Sequence, residues 1–224
     1  MSEATPDFLP FADAYDQGSN CCAAPTVYLV CDDDAGRQSL RSLIDSAGWH
    51  PQAFASSGEF LLRARPSSPS CLVLDASVPG LEGLLARLAS DHIDTPMIFI
   101  IGDADVAMTV RVMKAGASEV LIKPFDNEAL LKAIAQALER SRSSLLHGLE
   151  MRALRERYAG LSRRERQVLA RVVLGRLNKQ IAGELDISEI TVKAHRGKMM
   201  RKMKARSVAQ LVIMYDSIGD DSGG

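Results

Sequence analysis

The sequence has few cysteines and no long apolar run, and each shortage excludes a class of protein. Its four cysteines have neither metal-ligand spacing nor a secretory context, so we expect no disulfide framework and no zinc site. The longest apolar run, Met97 to Ile101, is far shorter than the roughly 20 residues of a membrane-spanning helix. The N-terminus lacks the basic and then apolar regions of a signal peptide. These shortages predict a soluble, cytoplasmic protein with reduced thiols and no membrane partner.

The sequence also lacks an appreciable net charge, but the value of -1 conceals an asymmetry. Residues 161 to 215 contain thirteen lysines and arginines against four acidic residues, a local charge of +9, which leaves -10 for the rest. A basic segment joined to an acidic one is typical of a polyanion-binding module linked to a module of different purpose. With 46% apolar residues, the chain is long enough for two modest cores, and we expect two domains.

The N-terminal half alternates apolar runs with stretches of helical spacing. The runs TVYLVC, SCLVLD and PMIFII indicate buried strands, and HPQAFA and SEVLIK indicate weaker ones. Short buried strands alternating with helices form a parallel sheet covered on both faces, so we predict a doubly wound, flavodoxin-like α/β domain with five strands and five helices. Such a sheet places its functional residues at the carboxyl ends of its strands.

Changes in composition divide the chain into five parts. We predict a flexible N-terminal tail, an α/β domain, a helical linker with partial dimer contact, an all-α domain and a flexible C-terminus. The boundaries are, in order, 1–24, 25–140, 141–160, 161–217 and 218–224.

The basic segment contains the start signals of three helices. Ser162 and Glu165 have the spacing of a capping box, which begins the first helix. Asn178 is expected to cap the second helix, and Ser188 the third. The basic segment is therefore predicted to contain three consecutive helices.

The third of these helices has an apolar side and a basic side. Val192, Met199 and Met203 recur with helical spacing and are expected to face the core. Small residues let a helix come close to base edges, so the opposite side is predicted to enter the major groove of double-stranded DNA. Lys193 is the expected contact to guanine, and Ala194 and Ile190 are the expected contacts to thymine methyl groups. The whole groove-facing side comprises Ile190, Lys193, Ala194, Gly197, Arg201 and Lys204.

The segments LSRRERQVL, NKQIAGELDIS and TVKAHRGKMMRKM resemble the LuxR-type helix-turn-helix over about 55 residues. The resemblance implies a four-helix domain, with the last helix from Ser207 to Met214, that binds promoter half-sites as a homodimer. His195 is equally well explained as a phosphate contact or as a structural residue. The phosphate contacts that the resemblance implies are Asn178, Lys179, Thr191, Arg196 and His195.

The α/β half resembles the receiver domain of two-component response regulators, and the domain order resembles the NarL/FixJ class over almost all of residues 26 to 215. The resemblance implies a histidine kinase as partner, Asp75 in LVLDASVPG as the phosphoacceptor, and Lys123 in IKPF as the cation that binds phosphoryl oxygen. The attacking carboxylate and the phosphoryl group repel each other until a cation bridges them. The candidate Mg²⁺ ligands are Asp32, Asp75 and Ser77, and no other cofactor is expected.

Three residues depart from the receiver pattern. Cys31 stands where the first carboxylate of the acidic pair is usual, so Mg²⁺ affinity should fall, and the neighbouring Asp33 is expected to point elsewhere. Ile101 replaces the Thr or Ser that ends the fourth strand, and Val120 replaces the aromatic residue of the fifth. The hydroxyl and the ring that transmit the switch in the family are therefore absent.

Two interpretations follow from these departures. In the first, the receiver has lost phosphorylation control and serves dimerisation or partner binding, and the chain is a non-enzymatic DNA-binding transcription regulator. In the second, Asp32 and Lys123 suffice for Asp75 to accept a phosphoryl group, and the chain is a conventional response regulator. We favour the first because three substitutions converge on one mechanism. Redox sensing by Cys31 is disfavoured because nearby negative charge should raise its pKa, and Cys71 should lie too far away to pair with it.

Overall fold

The computed structural model describes residues 24–62, 68–90, 95–102 and 106–220. The chain divides into two compact units, Met1–Leu145 and Leu146–Gly224. The predictions for residues 1–23, which include Cys21 and Cys22, and for residues 221–224 lie outside the described residues.

The first unit is built on a parallel sheet of five strands in the order β2-β1-β3-β4-β5. The central strands are apolar along almost their whole length because both of their faces are covered. The doubly wound α/β fold predicted from the sequence is confirmed. The strands are β1 (Thr26–Val30), β2 (His50–Phe54), β3 (Ser70–Asp75), β4 (Met97–Ile101) and β5 (Ala117–Ile122).

Helices cover both faces of this sheet, and alternate residues of a strand enter different cores. In β4, Ile98 and Ile100 join the cluster that contains Ile134, whereas Phe99 and Ile101 face the opposite cluster. The alternation explains why the strand is apolar at every position. The helices of this half are α1 (Asp34–Ser46), α2 (Ser57–Leu61), α3 (Leu81–Ser90), α4 (Val106–Lys114) and α5 (Asn127–Ala159).

Helix α5 is continuous over 33 residues, although its sequence contains the serine-rich stretch 141 to 144. Ser141 is buried, and its Oγ accepts a hydrogen bond of 3.0 Å from the backbone N–H of Ser70, at the start of β3. A polar side chain that weakens a helix locally is thus used here to fix the helix to the sheet.

In the second unit, the four helices that the sequence predicts pack around one core, to which the end of α5 adds Leu154. The side chains of Val168, Val192, Met199 and Met203 are fully or almost fully buried in it. The helices are α6 (Arg163–Val173), α7 (Asn178–Leu185), α8 (Glu189–Met203) and α9 (Val208–Asp220).

Most helix starts of this unit follow their sequence signals. The capping box of Ser162 and Glu165 is present, and Ser188 Oγ accepts a hydrogen bond of 3.1 Å from the Thr191 N–H. The prediction that Asn178 caps α7 is wrong, because Asn178 is the first helical residue and Leu177 occupies the cap position.

The last helix, α9, extends past its predicted end at Met214 and reaches Asp220. Tyr215 and Ile218 lie partly buried against the core of the unit, which explains the extra turns. Within the described residues, no helix combines the length and apolar character that crossing a membrane demands.

Candidate functional site

The candidate phosphoacceptor lies where three strands end. Val30 pairs with Leu74, so the next residues, Cys31 and Asp75, are neighbours at the carboxyl ends of β1 and β3. Lys123 follows β5, and its backbone N–H donates to the carbonyl of Ile101 over 2.8 Å. The parallel topology thus brings together three residues that are far apart in the sequence.

Asp75 is only 2% exposed and accepts several hydrogen bonds. Lys123 Nζ lies 2.6 Å from Oδ2, and the backbone N–H and hydroxyl of Ser77 lie 3.0 and 2.7 Å from Oδ1. Burial alone would raise the pKa of Asp75, but the hydrogen bonds from Lys123 and Ser77 outweigh it and lower the pKa. Asp75 is therefore an ionised carboxylate at neutral pH.

Cys31 contacts the same carboxylate. Its thiol lies 3.8 Å from Asp75 Oδ2 and 3.6 Å from the carbonyl oxygen of Asp33. Burial raises the pKa of this thiol, and the charge of Asp75 raises it further, although the hydrogen bond to Asp33 acts in the opposite direction. Cys31 is therefore a neutral thiol. Its sulfur is a poor ligand for Mg²⁺, which prefers oxygen.

With a thiol at Cys31, fewer oxygen ligands for a cation lie near Asp75 than the receiver pattern provides. Ser77 Oγ lies 3.2 Å from Asp32 Oδ1 and also bonds Asp75. Asp33 does not join them, because its side chain caps α1 by accepting a bond of 2.8 Å from Gly36 N–H. Mg²⁺ is held by one or two carboxylates with waters, so Asp32, Asp75 and Ser77 are of a suitable type to hold it. Among the residues described, no group of three or more histidine, cysteine or acidic side chains is placed to hold a metal.

Sequence reasoning missed Arg37, which stabilises the loop after β1. Its Nη1 donates to the carbonyl oxygen of Cys31 over 2.7 Å, and its Nη2 pairs with Asp34. The i, i+3 spacing of Asp34 and Arg37 was the available signal. The bond to Cys31 depends on where β1 ends and had no signal of its own.

The two positions expected to transmit a switch are part of the hydrophobic core. Ile101 is 3% exposed, and Val120 is partly buried against the same cluster. Neither side chain has a polar atom that could bond to a phosphoryl group. Their place in the core gives them a packing role in this conformation.

The predicted DNA-contacting side of α8 is largely exposed. Ile190 is 80% exposed, although large apolar side chains are usually covered. Thr191, His195 and Arg196 are half-buried, and the Thr191 hydroxyl lies 2.8 Å from that of Ser188. The exposed residues of this side are Ile190, Lys193, Ala194, Gly197, Arg201 and Lys204. Lys179, in α7, is exposed as well.

Several cations of the second unit are paired with carboxylates, which the sequence did not reveal. Arg171 Nε lies 2.8 Å from Glu184, and Arg176 Nε lies 3.5 Å from it. Lys202 Nζ lies 2.7 Å from the buried Glu165, whose pKa it lowers. By contrast, Arg196 Nη1 donates to the amide oxygen of Asn178 over 2.9 Å. The local charge of +9 is therefore partly neutralised by pairs that do not involve the predicted groove-facing residues of α8.

Comparison with known families agrees with both units. Residues 27–135 match the profile described as the response regulator receiver domain. Residues 159–215 match the profile described as bacterial regulatory proteins, luxR family.

Relatives of known sequence and structure share both units. Nodulation protein W of Bradyrhizobium diazoefficiens is 44% identical, over 86% of each chain. Response regulator protein TodT of Pseudomonas putida is 41% identical, over 88% of each chain. The low-resolution structure of the response regulator StyR has a TM-score of 0.78 and 43% identity, and covers 87% of this chain and 99% of that one.

Proposed function

Since the chain belongs to the NarL/FixJ class of response regulators, in which a receiver precedes a LuxR-type DNA-binding domain, we propose that its receiver has a weakened phosphorylation switch. Membership of the class makes the chain a transcription regulator, because the LuxR-type domain implies DNA binding. The receiver implies a kinase as a partner.

The contact between Cys31 and Asp75 carries this proposal. A neutral thiol lies 3.8 Å from the phosphoacceptor carboxylate, where the family has a second acidic group. Bound Mg²⁺ would reduce the repulsion between that carboxylate and an incoming phosphoryl group. Asp32 and Asp75 would hold it with one carboxylate fewer, so we infer a lower Mg²⁺ affinity and slower phosphorylation.

The transmission positions support the same proposal. A hydroxyl at the end of β4 and an aromatic ring on β5 are replaced by the buried Ile101 and the partly buried Val120. A phosphoryl group on Asp75 would find no hydroxyl donor at Ile101. We infer that the receiver mainly serves homodimerisation or partner binding, and that any signal takes another route.

For DNA we propose direct readout by α8. Lys193 binds guanine, Ala194 and Ile190 contact thymine methyl groups, and Gly197 permits close approach. This assignment is supported by the exposure of these residues on a helix whose other side is buried. The proposed backbone contacts are Asn178, Lys179, Thr191, His195 and Arg196, and Arg201 belongs to the groove-facing side of α8.

One observation favours conventional phosphorylation as the second candidate function. Asp75 is ionised, and Lys123 and Ser77 are already within hydrogen-bonding distance of it. A nucleophilic carboxylate with a lysine beside it supplies two of the groups that phosphoryl transfer uses, and bound Mg²⁺ would supply the third.

Phosphorylation with a small donor distinguishes the two. The protein is incubated with Mg²⁺ and acetyl phosphate, and the mass, the oligomeric state and the affinity for promoter DNA are measured. We expect a minor adduct in the wild type and a larger one in Cys31→Asp, whose thermal stability should respond to Mg²⁺ at concentrations about tenfold lower. A stoichiometric wild-type adduct that Asp75→Asn abolishes, with a matching rise in DNA affinity, contradicts the weakened switch.

Cys71→Ala is the matched control. Cys71 is also buried in the same sheet, and burial raises its pKa to about 12, but it lies near the amino end of β3, whereas Cys31 follows the carboxyl end of β1. Its loss should leave both the Mg²⁺ response and the adduct at wild-type levels.

A further inference from the structure

Arg196 is a proposed phosphate contact, and its hydrogen-bond partner is of a different kind from those of other cations in the DNA-binding unit. Arg171 and Lys202 lie against the carboxylates of Glu184 and Glu165. Arg196 donates instead to the neutral amide oxygen of Asn178, over 2.9 Å. An amide accepts a hydrogen bond without cancelling the charge of the guanidinium.

The bond joins two helices that are both proposed to face the DNA backbone. Asn178 is the first residue of α7, and Arg196 lies in the middle of α8. Both residues are half-buried. An arginine side chain normally loses considerable rotamer freedom when it binds a phosphate, and a bond already made in the free protein reduces that loss.

We propose that Asn178 acts on the DNA backbone through Arg196 and not by a direct contact of its own: it is a positioning residue that holds the Arg196 guanidinium toward the backbone while leaving its charge intact. The inference rests on the proposed function, in which Arg196 contacts a phosphate. Arginine has five N–H donors, and the bond to Asn178 engages one of them. The remainder of the fork is then available to a phosphate oxygen.

Salt dependence separates positioning from direct contact. A cation that neutralises a phosphate releases condensed counterion and contributes about 0.9 to the slope of log affinity against log salt. Asn178 is neutral, so a direct contact from it contributes nothing to this slope. If Asn178 acts through Arg196, Asn178→Ala should lower the slope, by at most the amount that Arg196→Ala removes, because the guanidinium charge remains but is no longer held beside the phosphate.

The test uses the full chain and a mixed-sequence duplex of about 25 base pairs, titrated at several salt concentrations. Asn178→Ala, Arg196→Ala and the double variant are compared in one thermodynamic cycle. We expect each single change to weaken binding roughly three- to tenfold, and the double variant to bind no more weakly than Arg196→Ala. The matched cycle pairs Asn178→Ala with Lys193→Ala, whose losses should multiply because Asn178 does not hold Lys193.

Asn178→Asp provides a second variant that keeps an acceptor for Arg196. Its fold should be retained, as thermal unfolding can verify, but its carboxylate neutralises the guanidinium. We expect a reduced salt slope without a loss of stability, and wild-type affinity and slope in this variant would overturn the claim that the neutral amide matters.

The remaining outcomes have distinct meanings. Multiplying losses in the Asn178 and Arg196 cycle, or an unchanged slope in Asn178→Ala while Arg196→Ala lowers it, overturns the positioning role alone. An unchanged affinity and slope in Arg196→Ala overturns the phosphate assignment as well.

Discussion

Lys193 has the features of a base-reading side chain: it is exposed and lies between Ile190 and Ala194 on the outer side of α8. Its ammonium group can donate to the guanine acceptors of the major groove. Lys198 lies on the same helix and is also exposed, but it was not assigned to the groove-facing side. The two lysines therefore form a natural comparison of base contact and general charge.

Lys193→Ala should weaken binding to a specific promoter site more than binding to unrelated DNA. A lost base contact removes roughly 1 to 3 kcal/mol of discrimination, whereas a lost charge acts on all sequences. Lys198→Ala should change both affinities by the same factor. Fluorescence anisotropy with both duplexes measures the ratio, and equal losses in Lys193→Ala would show that another residue reads the bases.

At the scale of single residues, the sequence predicted which side chains have a functional role better than it predicted the residues to which they bond. Asp75 and Lys123 were identified from motifs, and the negative charge expected near the Cys31 thiol includes the Asp75 carboxylate. The bond between Asn178 and Arg196 joins two helices, and no local spacing in the sequence predicts it. Such contacts depend on tertiary packing, which a single sequence does not display.

Among the elements, the strands and capped helices were predictable because their signals are local. The capping box of Ser162 and Glu165 and the apolar runs of β1, β3 and β4 are examples. The continuity of α5 was harder to predict, because Ser141 weakens the helix locally and stabilises it through its bond to Ser70. Asn178 was misplaced as a cap because Leu177, which has no side-chain acceptor, precedes the helix instead.

The ion pair of Lys202 and Glu165 connects two helices of the DNA-binding unit. Lys202, in α8, lies 2.7 Å from the carboxylate that also closes the capping box of α6, and it donates to the carbonyl oxygen of Gly160 over 3.1 Å. The Glu165 side chain is 5% exposed and that of Lys202 is 45% exposed. Removing the lysine would leave a buried carboxylate with fewer donors, which is costly.

Lys202→Met should therefore destabilise this unit at pH 7 by about 1 to 3 kcal/mol. The Lys202 hydrogen bond lowers the pKa of Glu165 from its usual 4.5, so the stabilisation is full above that value and is lost as the pH falls through the lowered pKa. The difference between wild type and variant should accordingly shrink in acid. Urea unfolding at several pH values measures it.

Lys198→Met is the control for this prediction, because it removes an exposed lysine from the same helix. It should change stability little at any pH. A Lys202→Met difference that stayed constant from neutral to acidic pH would mean that lost packing, and not the ion pair, causes the destabilisation.

For the whole molecule, the near-neutral net charge conceals two parts of opposite charge. The chain carries -1 in total, yet residues 161 to 215 carry +9. Pairing within the second unit neutralises cations such as Arg171 and Lys202 and leaves Lys193 and Arg201 exposed on α8. Charge is thus concentrated where DNA is proposed to bind, and affinity should fall steeply with salt.

The hydrophobic cores are divided in the same way. The clusters that contain Leu74 and Ile134 on the two faces of the sheet share no residue with the cluster around Leu169. Packing energy is short-ranged, so a cavity in one core removes contacts from that core alone. Helix α5 supplies Ile134 to one core and Leu154 to another, but a covalent connection does not by itself transfer packing energy.

Leu169→Ala and Leu74→Ala should therefore have separate effects, although both side chains are fully buried. Each truncation should remove about 2 to 5 kcal/mol from its own unit. Hydrogen exchange read by mass spectrometry should show faster exchange in α6 and α8 for Leu169→Ala, and in β1, β3 and β4 for Leu74→Ala. If either variant accelerated exchange equally in both sets, the two units would unfold as one cooperative body, which would contradict separate cores.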